Sequence, residues 1–182
     1  SLSYGADDTL QEQVFQDPLT ELPNRYLFNE HLSIALNNAK RNHTLIGLIL
    51  IDIKQFKQIN NSWGYTIGDQ ILKAVGKRLK SCLRAADIVS RWGEDDFTIL
   101  LSHIKVLTDA DHITDRIFRV FKEPFEVQNN PIYVKLNLGY VVYPEDGEEV
   151  KELLLKVEAN LKANKQKKHQ QTYYKTSRFQ NS

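Results

Sequence analysis

Hydrophobic and polar positions follow one another along the chain in blocks that predict helices and strands. Apolar residues recur at helical spacing from Tyr26 onward, over Asp69–Arg84, after Thr108, which can cap a helix, and over about Glu149–Lys168. The run Thr44–Asp52 is apolar throughout and ends in a carboxylate, which predicts a strand covered on both faces with Asp52 at its carboxyl edge.

Short strand-like runs around tight turns predict two hairpins. The first joins Asp87–Arg91 to Asp95–Ser102 through Trp92, Gly93 and Glu94, and the second joins Phe125–Val127 to Ile132–Tyr143 through Asn129, Asn130 and Pro131. The resulting order is helix, strand, helix, hairpin, helix, hairpin, helix. This order predicts an α+β fold with a central, mostly antiparallel sheet of about five strands flanked by helices.

Length, charge and cysteine content narrow the class of protein. The 182 residues suit one domain, and we predict a connector at 1–16, the domain at 17–175 and a linker at 176–182. With 24 basic and 23 acidic residues the formal charge is +1, which argues against a nucleic-acid partner. The apolar run Leu45–Ile51 is too short to span a bilayer. The single cysteine, Cys82, cannot form an internal disulfide, so we expect a cytoplasmic domain. A longer protein that contains this domain can still be anchored in a membrane.

Three carboxylates are candidates for a cation site. Asp52 ends the buried strand, and Asp95 and Asp96 follow the first tight turn, so the three can meet on adjacent strands. Mg²⁺ favours one or two carboxylates together with substrate phosphates. The alternative is that these are ordinary solvated aspartates of a strand end and a turn, and spacing alone leaves both interpretations open.

Six ordered blocks of sequence resemble the GGDEF family, the domain of diguanylate cyclases, from Asp17 to about Lys175. They are DPLTELPNR at 17–25, with Glu21 for a glycine, DIKQFKQINN at 52–61, GYTIGD at 64–69, RWGEDDF at 91–97, YPEDG at 143–147, and Lys165 at the lysine of A-K-x-x-G-R. The chain is identified as a member of this family on these blocks together. The resemblance implies a nucleotidyl-cyclase-like fold with a ferredoxin-like palm.

The resemblance also implies a reaction and a set of site residues. Each subunit of a homodimer would bind one GTP, and each 3′-hydroxyl would attack the α-phosphate of the other nucleotide, giving cyclic di-GMP and pyrophosphate. Mg²⁺ or Mn²⁺ would be held by Asp52, the carbonyl of Ile53 and Asp95, with Asp96 in the position of the catalytic acidic residue. The implied substrate-binding residues are Asn60 and Asp69 for guanine, Lys57 and Lys165 for phosphates, and Phe56, Arg91 and Gly93.

Three residues depart from the family pattern inside the implied active site. Glu94 replaces the second glycine of the signature, where we expect a positive φ that costs an L-residue roughly 1–2 kcal/mol. Lys54 replaces the second acidic residue of D-x-D and brings positive charge beside the cation. His169 replaces a phosphate-binding arginine. All three departures predict reduced or lost turnover.

A further match concerns regulation. Arg84 and Asp87 form the R-x-x-D of the family's inhibitory site for cyclic di-GMP, with the family's spacing to Gly93. Arg116 on the following helix would supply a second arm of that site. The alternative is a surface ion pair between a helix-end arginine and a strand-start aspartate.

Three functions follow from these observations. The preferred one is a degenerate domain that binds GTP or cyclic di-GMP and regulates a neighbouring sensor or EAL domain, because the DPLT and YPEDG wording is frequent in GGDEF-EAL tandems. The second is a working diguanylate cyclase, since Asp52, Asn60, Asp69, Asp95, Asp96 and Lys165 are all present. The third is a dimerisation module with vestigial pockets.

Overall fold

The computed structural model describes residues 14–167. Its helices are α1 Arg25–Asn42, α2 Phe56–Trp63, α3 Tyr65–Ser81, α4 Thr108–Val120 and α5 Val150–Lys165, and its strands are β1 Leu45–Ile53, β2 Ile88–Arg91, β3 Asp96–Ile104, β4 Phe125–Val127, β5 Asn130–Ile132 and β6 Leu136–Tyr143. The predicted α+β class is confirmed.

The main sheet has four strands in the order β2-β3-β1-β6, and its neighbouring strands are antiparallel. Strand β1 lies in the interior of the sheet and is buried at every position after Leu45, as its continuous apolar run predicted. In this ladder Asp52 lies opposite Asp96 of β3 on one side and Asn137 of β6 on the other. The register therefore places three polar residues in one row across the end of the sheet.

Two hydrophobic cores lie on opposite faces of the sheet. Ile49 and Ile51 of β1 face a core that includes residues of α3 and α4, whereas Leu48 and Leu50 face a core built with α1 and α5. Because successive side chains of a strand point to opposite faces, Asp52 shares the face of Leu48 and Leu50. The acidic row is therefore on the side of α1 and α5.

The strand count differs from the predicted five. Strands β4 and β5 pair with each other in a separate two-stranded sheet. Asn130 and Pro131, predicted as part of a turn, belong to β5, and the predicted strand Ile132–Tyr143 contributes Ile132 to β5 and Leu136–Tyr143 to β6. At the division, the carbonyl of Lys135 accepts a hydrogen bond of 2.8 Å from the backbone N–H of Lys54. Apolar residues alternate with other residues straight through the break between β5 and β6, so the sequence pattern did not reveal where the strand is interrupted.

Helix α2 was not predicted, since its sequence was interpreted as a short polar segment. It is separated from α3 by Gly64, whose φ of 90° lies in a region open mainly to glycine. Thr108, predicted to cap helix α4, is instead its first residue, and no side chain bonds to the helix from the N-cap, Leu107. Asp109 instead accepts backbone N–H groups of the preceding turn.

Helices long and apolar enough to cross a membrane are absent from the part of the chain that the structure describes.

Candidate active site

Three aspartates meet at the end of the main sheet. Asp52 and Asp96 are direct cross-strand partners of β1 and β3, so their side chains lie on the same face. The backbone N–H of Ile53 donates to the carbonyl of Asp95 at 3.2 Å, which fixes the turn beside the end of β1. The structure thus brings together the carboxylates that the sequence placed on adjacent strands.

Burial and neighbouring carboxylates raise the pKa values of Asp95 and Asp96. Burial, and then the charges of Asp95 and Asp52, raise the pKa of Asp96 to about 6, against an opposing effect of Lys165. Burial and then the charge of Asp52 also raise the pKa of Asp95. Like charges grouped in a partly desolvated position favour protonation or a bound cation.

Lys165 contacts this acidic group directly, a pairing that the sequence did not reveal. It lies in the last turn of α5 and forms an ion pair with Oδ2 of Asp52. The other carboxylate oxygen, Oδ1, is buried and has no hydrogen-bond partner. Leaving a buried charged oxygen unpaired is costly. Asp52 therefore keeps one oxygen in position for a further positive group.

The donor set fits Mg²⁺ better than a metal held wholly by side chains. Within residues 14–167 no three His, Cys, Asp or Glu side chains are grouped as a metal site. Mg²⁺ does not need such a cage, because it commonly uses one or two carboxylates and completes its shell with phosphates and water. Asp52, with its unpaired buried oxygen, and Asp95, fixed beside Ile53, suit that mode of binding.

The predicted guanine-binding residues are brought close by a helix break. Asn60 lies on α2 and Asp69 on the first part of α3. The N–H of Gly64 donates to the carbonyl of Asn60 at 2.8 Å, and the N–H of Gly68 donates to the carbonyl of Gly64 at 3.0 Å. Two successive backbone hydrogen bonds therefore link Asn60, through Gly64, to the helical turn that carries Asp69.

The neighbouring predicted residues differ in what they offer a ligand. Lys57 is exposed on α2, as a phosphate contact requires. Phe56 is only 5% exposed and belongs to the core on the α3 side. Its side chain therefore supports the site from beneath and presents little surface to a nucleotide.

Arg91, predicted to bind substrate, is occupied by the hairpin turn. Its Nε donates to the carbonyl of Gly93 at 3.0 Å and its Nη2 to the carbonyl of Glu94 at 2.6 Å, while Nη1 lies 3.2 Å from Oδ2 of Asp17. The donors of this guanidinium are thus directed at the protein. Arg91 and Gly93 line an open pocket of about 340 Å³ on this turn.

The prediction of backbone strain at Glu94 is wrong. Glu94 is not among the non-glycine residues with positive φ in the part of the chain that is described, whereas Glu21, at the other replaced glycine, has a φ of 61°. The turn is closed by bonds from the N–H groups of Trp92 and Gly93 to the carbonyl of Asp96. Glu94 is exposed at its tip, so what remains of its effect is charge and bulk.

Of the other two departures from the family pattern, Lys54 and His169, the structure describes only Lys54. Lys54 follows β1 directly and is half-buried, and its backbone N–H bonds to Lys135. Its main chain is thereby fixed next to the end of β1, and the effect of its charge on a cation stays a prediction. His169 lies outside the described residues 14–167.

The predicted inhibitory site is assembled, but its aspartate is occupied. Oδ2 of Asp87 accepts from the backbone N–H of Arg84 at 3.1 Å and lies 3.4 Å from its Nε, and Oδ1 accepts from the N–H of Ser102. The Asp87 side chain has no exposed surface, whereas that of Arg84 is 50% exposed. Arg116 donates to the carbonyl of Cys82, close to Arg84 in the chain. Cyclic di-GMP binding here stays a prediction.

The fold and the site define an α+β domain with an acidic group at the end of an antiparallel sheet, opposed by a lysine. A sequence model described as diguanylate cyclase, GGDEF domain, matches residues 14–171. The chain therefore belongs to the GGDEF family, as its sequence blocks indicated.

Individual relatives agree with this assignment. Over 82% of its length the chain is 34% identical to the cyclic di-GMP phosphodiesterase NbdA of Pseudomonas aeruginosa, of which it covers 19%. Over 80% of its length it is 33% identical to the diguanylate cyclase TpbB of the same species, of which it covers 34%. The solved GGDEF domain of TpbB superposes with a TM-score of 0.83 at 30% identity, covering 88% of this chain and 92% of that one. The chain thus spans about a fifth to a third of these curated relatives.

Proposed function

We propose that this GGDEF domain binds GTP together with Mg²⁺, converts it slowly or not at all, and regulates a neighbouring part of a longer protein. The observation that carries the proposal is the state of Asp52. One of its oxygens is buried and unpaired, the other is bonded to Lys165, and Asp95 and Asp96 lie beside it. Such a group attracts both a cation and the phosphates that accompany it.

Each part of the nucleotide has a candidate partner. Asn60 and Asp69 would bind guanine, Lys57 and Lys165 would contact the phosphates, and the family membership of the chain supports these roles. When the nucleotide binds, the ammonium of Lys165 would leave Asp52 and pair with a phosphate oxygen instead. That exchange preserves the charge pairing of the lysine, because a phosphate oxygen replaces a carboxylate oxygen.

Mg²⁺, held by Asp52, the carbonyl of Ile53 and Asp95, would neutralise phosphate charge and polarise the α-phosphate. Asp96 would accept the proton of an attacking 3′-hydroxyl, a role supported by burial and acidic neighbours that raise its pKa to about 6. Condensation would form a bond from the 3′-oxygen to phosphorus and break the bond from phosphorus to pyrophosphate. The two nucleotides would come from two copies of the chain.

Weak turnover is proposed because of Lys54. It brings a positive charge to a position where the family has a negative one, and its backbone N–H, bonded to the carbonyl of Lys135, fixes the main chain next to the end of β1. A unit charge pair at about 4 Å is worth roughly 4 kcal/mol at an effective dielectric near 20. Even a fraction of that repulsion would weaken Mg²⁺ binding.

An active diguanylate cyclase is the second candidate. It is favoured by the backbone at Glu94, which does not have the positive φ that would strain a residue other than glycine. If the turn keeps the family's shape, the exposed Glu94 side chain can move away from the nucleotide. TpbB, to which the chain is similar, is itself named a diguanylate cyclase.

Calorimetry with GTP and Mg²⁺, followed by chromatography of the products, tests these alternatives. We expect the wild type to bind GTP and Lys165→Met to bind it about tenfold or more weakly, as loss of a charged contact requires. Lys162→Met, at an exposed position on the same helix, is the matched control. Absence of GTP binding in the wild type contradicts the proposal. Formation of cyclic di-GMP at about 1 per second or faster, the low end of common turnover numbers, selects the active cyclase.

A further inference from the structure

Gly68 lies against the side chain of Asn60 with no space between them. A Cβ atom built on Gly68 would be 1.8 Å from Oδ1 of Asn60 and 3.0 Å from its Cγ. Both distances are far shorter than a normal contact. The amide of Asn60 therefore occupies the volume that any side chain at position 68 would need.

The oxygen end of the Asn60 amide faces inward, toward Gly68. Oδ1 of Asn60 is buried and has no hydrogen-bond partner. The next atom from the built Cβ is Cζ of Phe56 at 3.5 Å, so Nδ2 of Asn60 is farther away than that. The oxygen thus rests on Gly68, and the amide N–H donors point away from it.

We propose that Gly68 is a positioning residue for base selection: it holds the Asn60 amide so that its N–H donor reads the 6-carbonyl of guanine. This inference rests on the proposed nucleotide site. Guanine has an acceptor at position 6 where adenine has an amine donor. A fixed donor in the site rejects adenine, because two donors would face each other without a partner. Asp69, next in the chain to Gly68, is an acceptor suited to the N1–H of guanine.

Gly68→Ala is the informative substitution. The new methyl meets the end of a flexible side chain, so we expect the protein to fold with Asn60 displaced. Gly76→Ala is the matched control, because it lies on the same helix and the nearest atoms to its methyl are side-chain atoms of Leu22, at 3.0 and 3.7 Å, and of Phe97, at 3.7 Å. Both changes add the same methyl to α3.

Binding is measured by calorimetry with Mg²⁺ and analogues of GTP, ITP and ATP in which a methylene replaces the α,β-bridging oxygen. GTP and ITP share the 6-carbonyl, whereas ATP lacks it. We expect Gly68→Ala to weaken GTP and ITP alike by about tenfold, the size of one lost hydrogen bond in a buried site. ATP binding should not weaken and should strengthen where the displaced amide no longer opposes the 6-amino group, and Gly76→Ala should keep the wild-type order.

The inference is overturned if the wild type prefers GTP to ATP and Gly68→Ala keeps that preference. A wild type without any preference for guanine contradicts the proposed function instead. Asn60→Ala provides a second test that does not depend on how Gly68→Ala folds, because it leaves room for a methyl at position 68. Adding Gly68→Ala to Asn60→Ala should change selectivity no further, and a further loss would show that Gly68 does not act through Asn60.

Discussion

Asp17 connects the opening loop to the hairpin that carries the acidic turn. Its Oδ2 accepts the backbone N–H and the hydroxyl of Thr20 at 2.8 and 2.7 Å, and Arg91 lies 3.2 Å from the same oxygen. Burial alone would raise the pKa of Asp17, but the bonds from Thr20 and Arg91 outweigh burial and lower it. Because Arg91 also bonds to the carbonyls of Gly93 and Glu94, this carboxylate stabilises the turn indirectly.

Asp17→Asn should therefore lower stability in a pH-dependent way. A pKa that is lowered in the folded state gives stabilisation that is present above the unfolded value of about 3.9 and is lost as the pH falls through the folded value. We expect a loss of about 1–3 kcal/mol in the free energy of unfolding at pH 7, typical of bonds to a charged group. The loss should shrink below about pH 4.

Urea denaturation at pH 7 and at about pH 3.5 measures this difference. Glu30→Gln, at an exposed position on α1, is the control and should change stability little at either pH. A loss at Asp17→Asn that is equally large at both pH values would show that the carboxylate charge has no part in it.

Helix α5 is fixed to the edge strand β6 by backbone contact and by two asparagines. A Cβ on Gly139 would be 2.5 Å from the backbone nitrogen of Leu161, so helix and strand touch at this point. Asn160 donates to the carbonyl of Tyr140 at 3.0 Å and Asn164 to that of Leu138 at 2.9 Å. The helix thereby covers an open sheet edge, and its last turn carries Lys165 to Asp52.

Gly139→Ala should consequently destabilise the protein more than a similar change nearby. The methyl would collide with helix backbone, which cannot turn aside as a side chain can, and overpacking typically costs about 1–3 kcal/mol. Gly47→Ala on the neighbouring β1 is the control, because its methyl meets the Leu101 side chain at 3.1 Å. Chemical denaturation of both variants measures the difference, and equal costs would contradict a backbone collision.

At the scale of the whole molecule, the departures from the family pattern act on one reaction. The structure shows no backbone strain at Glu94, whereas it fixes the main chain of Lys54 next to the end of β1. Lys54→Asp should thus recover more turnover than Glu94→Gly. The double variant should exceed the product of the single effects if both groups act on one bound nucleotide.

Chromatographic detection of cyclic di-GMP from GTP and Mg²⁺ measures these rates. Under the proposed reaction each product joins nucleotides from two copies of the chain, so the rate should rise more steeply than in proportion to protein concentration. A larger gain from Glu94→Gly than from Lys54→Asp would show that the hairpin tip, and not the cation, limits the reaction.

Hydrophobic pattern and local motifs were sufficient for most elements of the fold. The apolar run ending at Asp52 gave the buried strand, because burial on both faces requires a continuous apolar sequence. Helix α2 was missed because it has only eight residues, so the helical spacing of Phe56, Ile59 and Trp63 is too short to stand out among its polar residues. Its separation from α3 depends on the conformation of Gly64, which the pattern of polar residues does not report.

The chemistry of the site divides in the same way. The sequence by itself determined the family, the residue types of the acidic turn and the placement of Asp52 at a strand end, because these depend on local order along the chain. Only the tertiary structure decided that Lys165 pairs with Asp52, that Gly68 supports Asn60, and that the main chain at Glu94 is unstrained. These depend on strand register and on the close approach of separate helices. Such approaches are set by packing over the whole domain, and no short stretch of sequence encodes them.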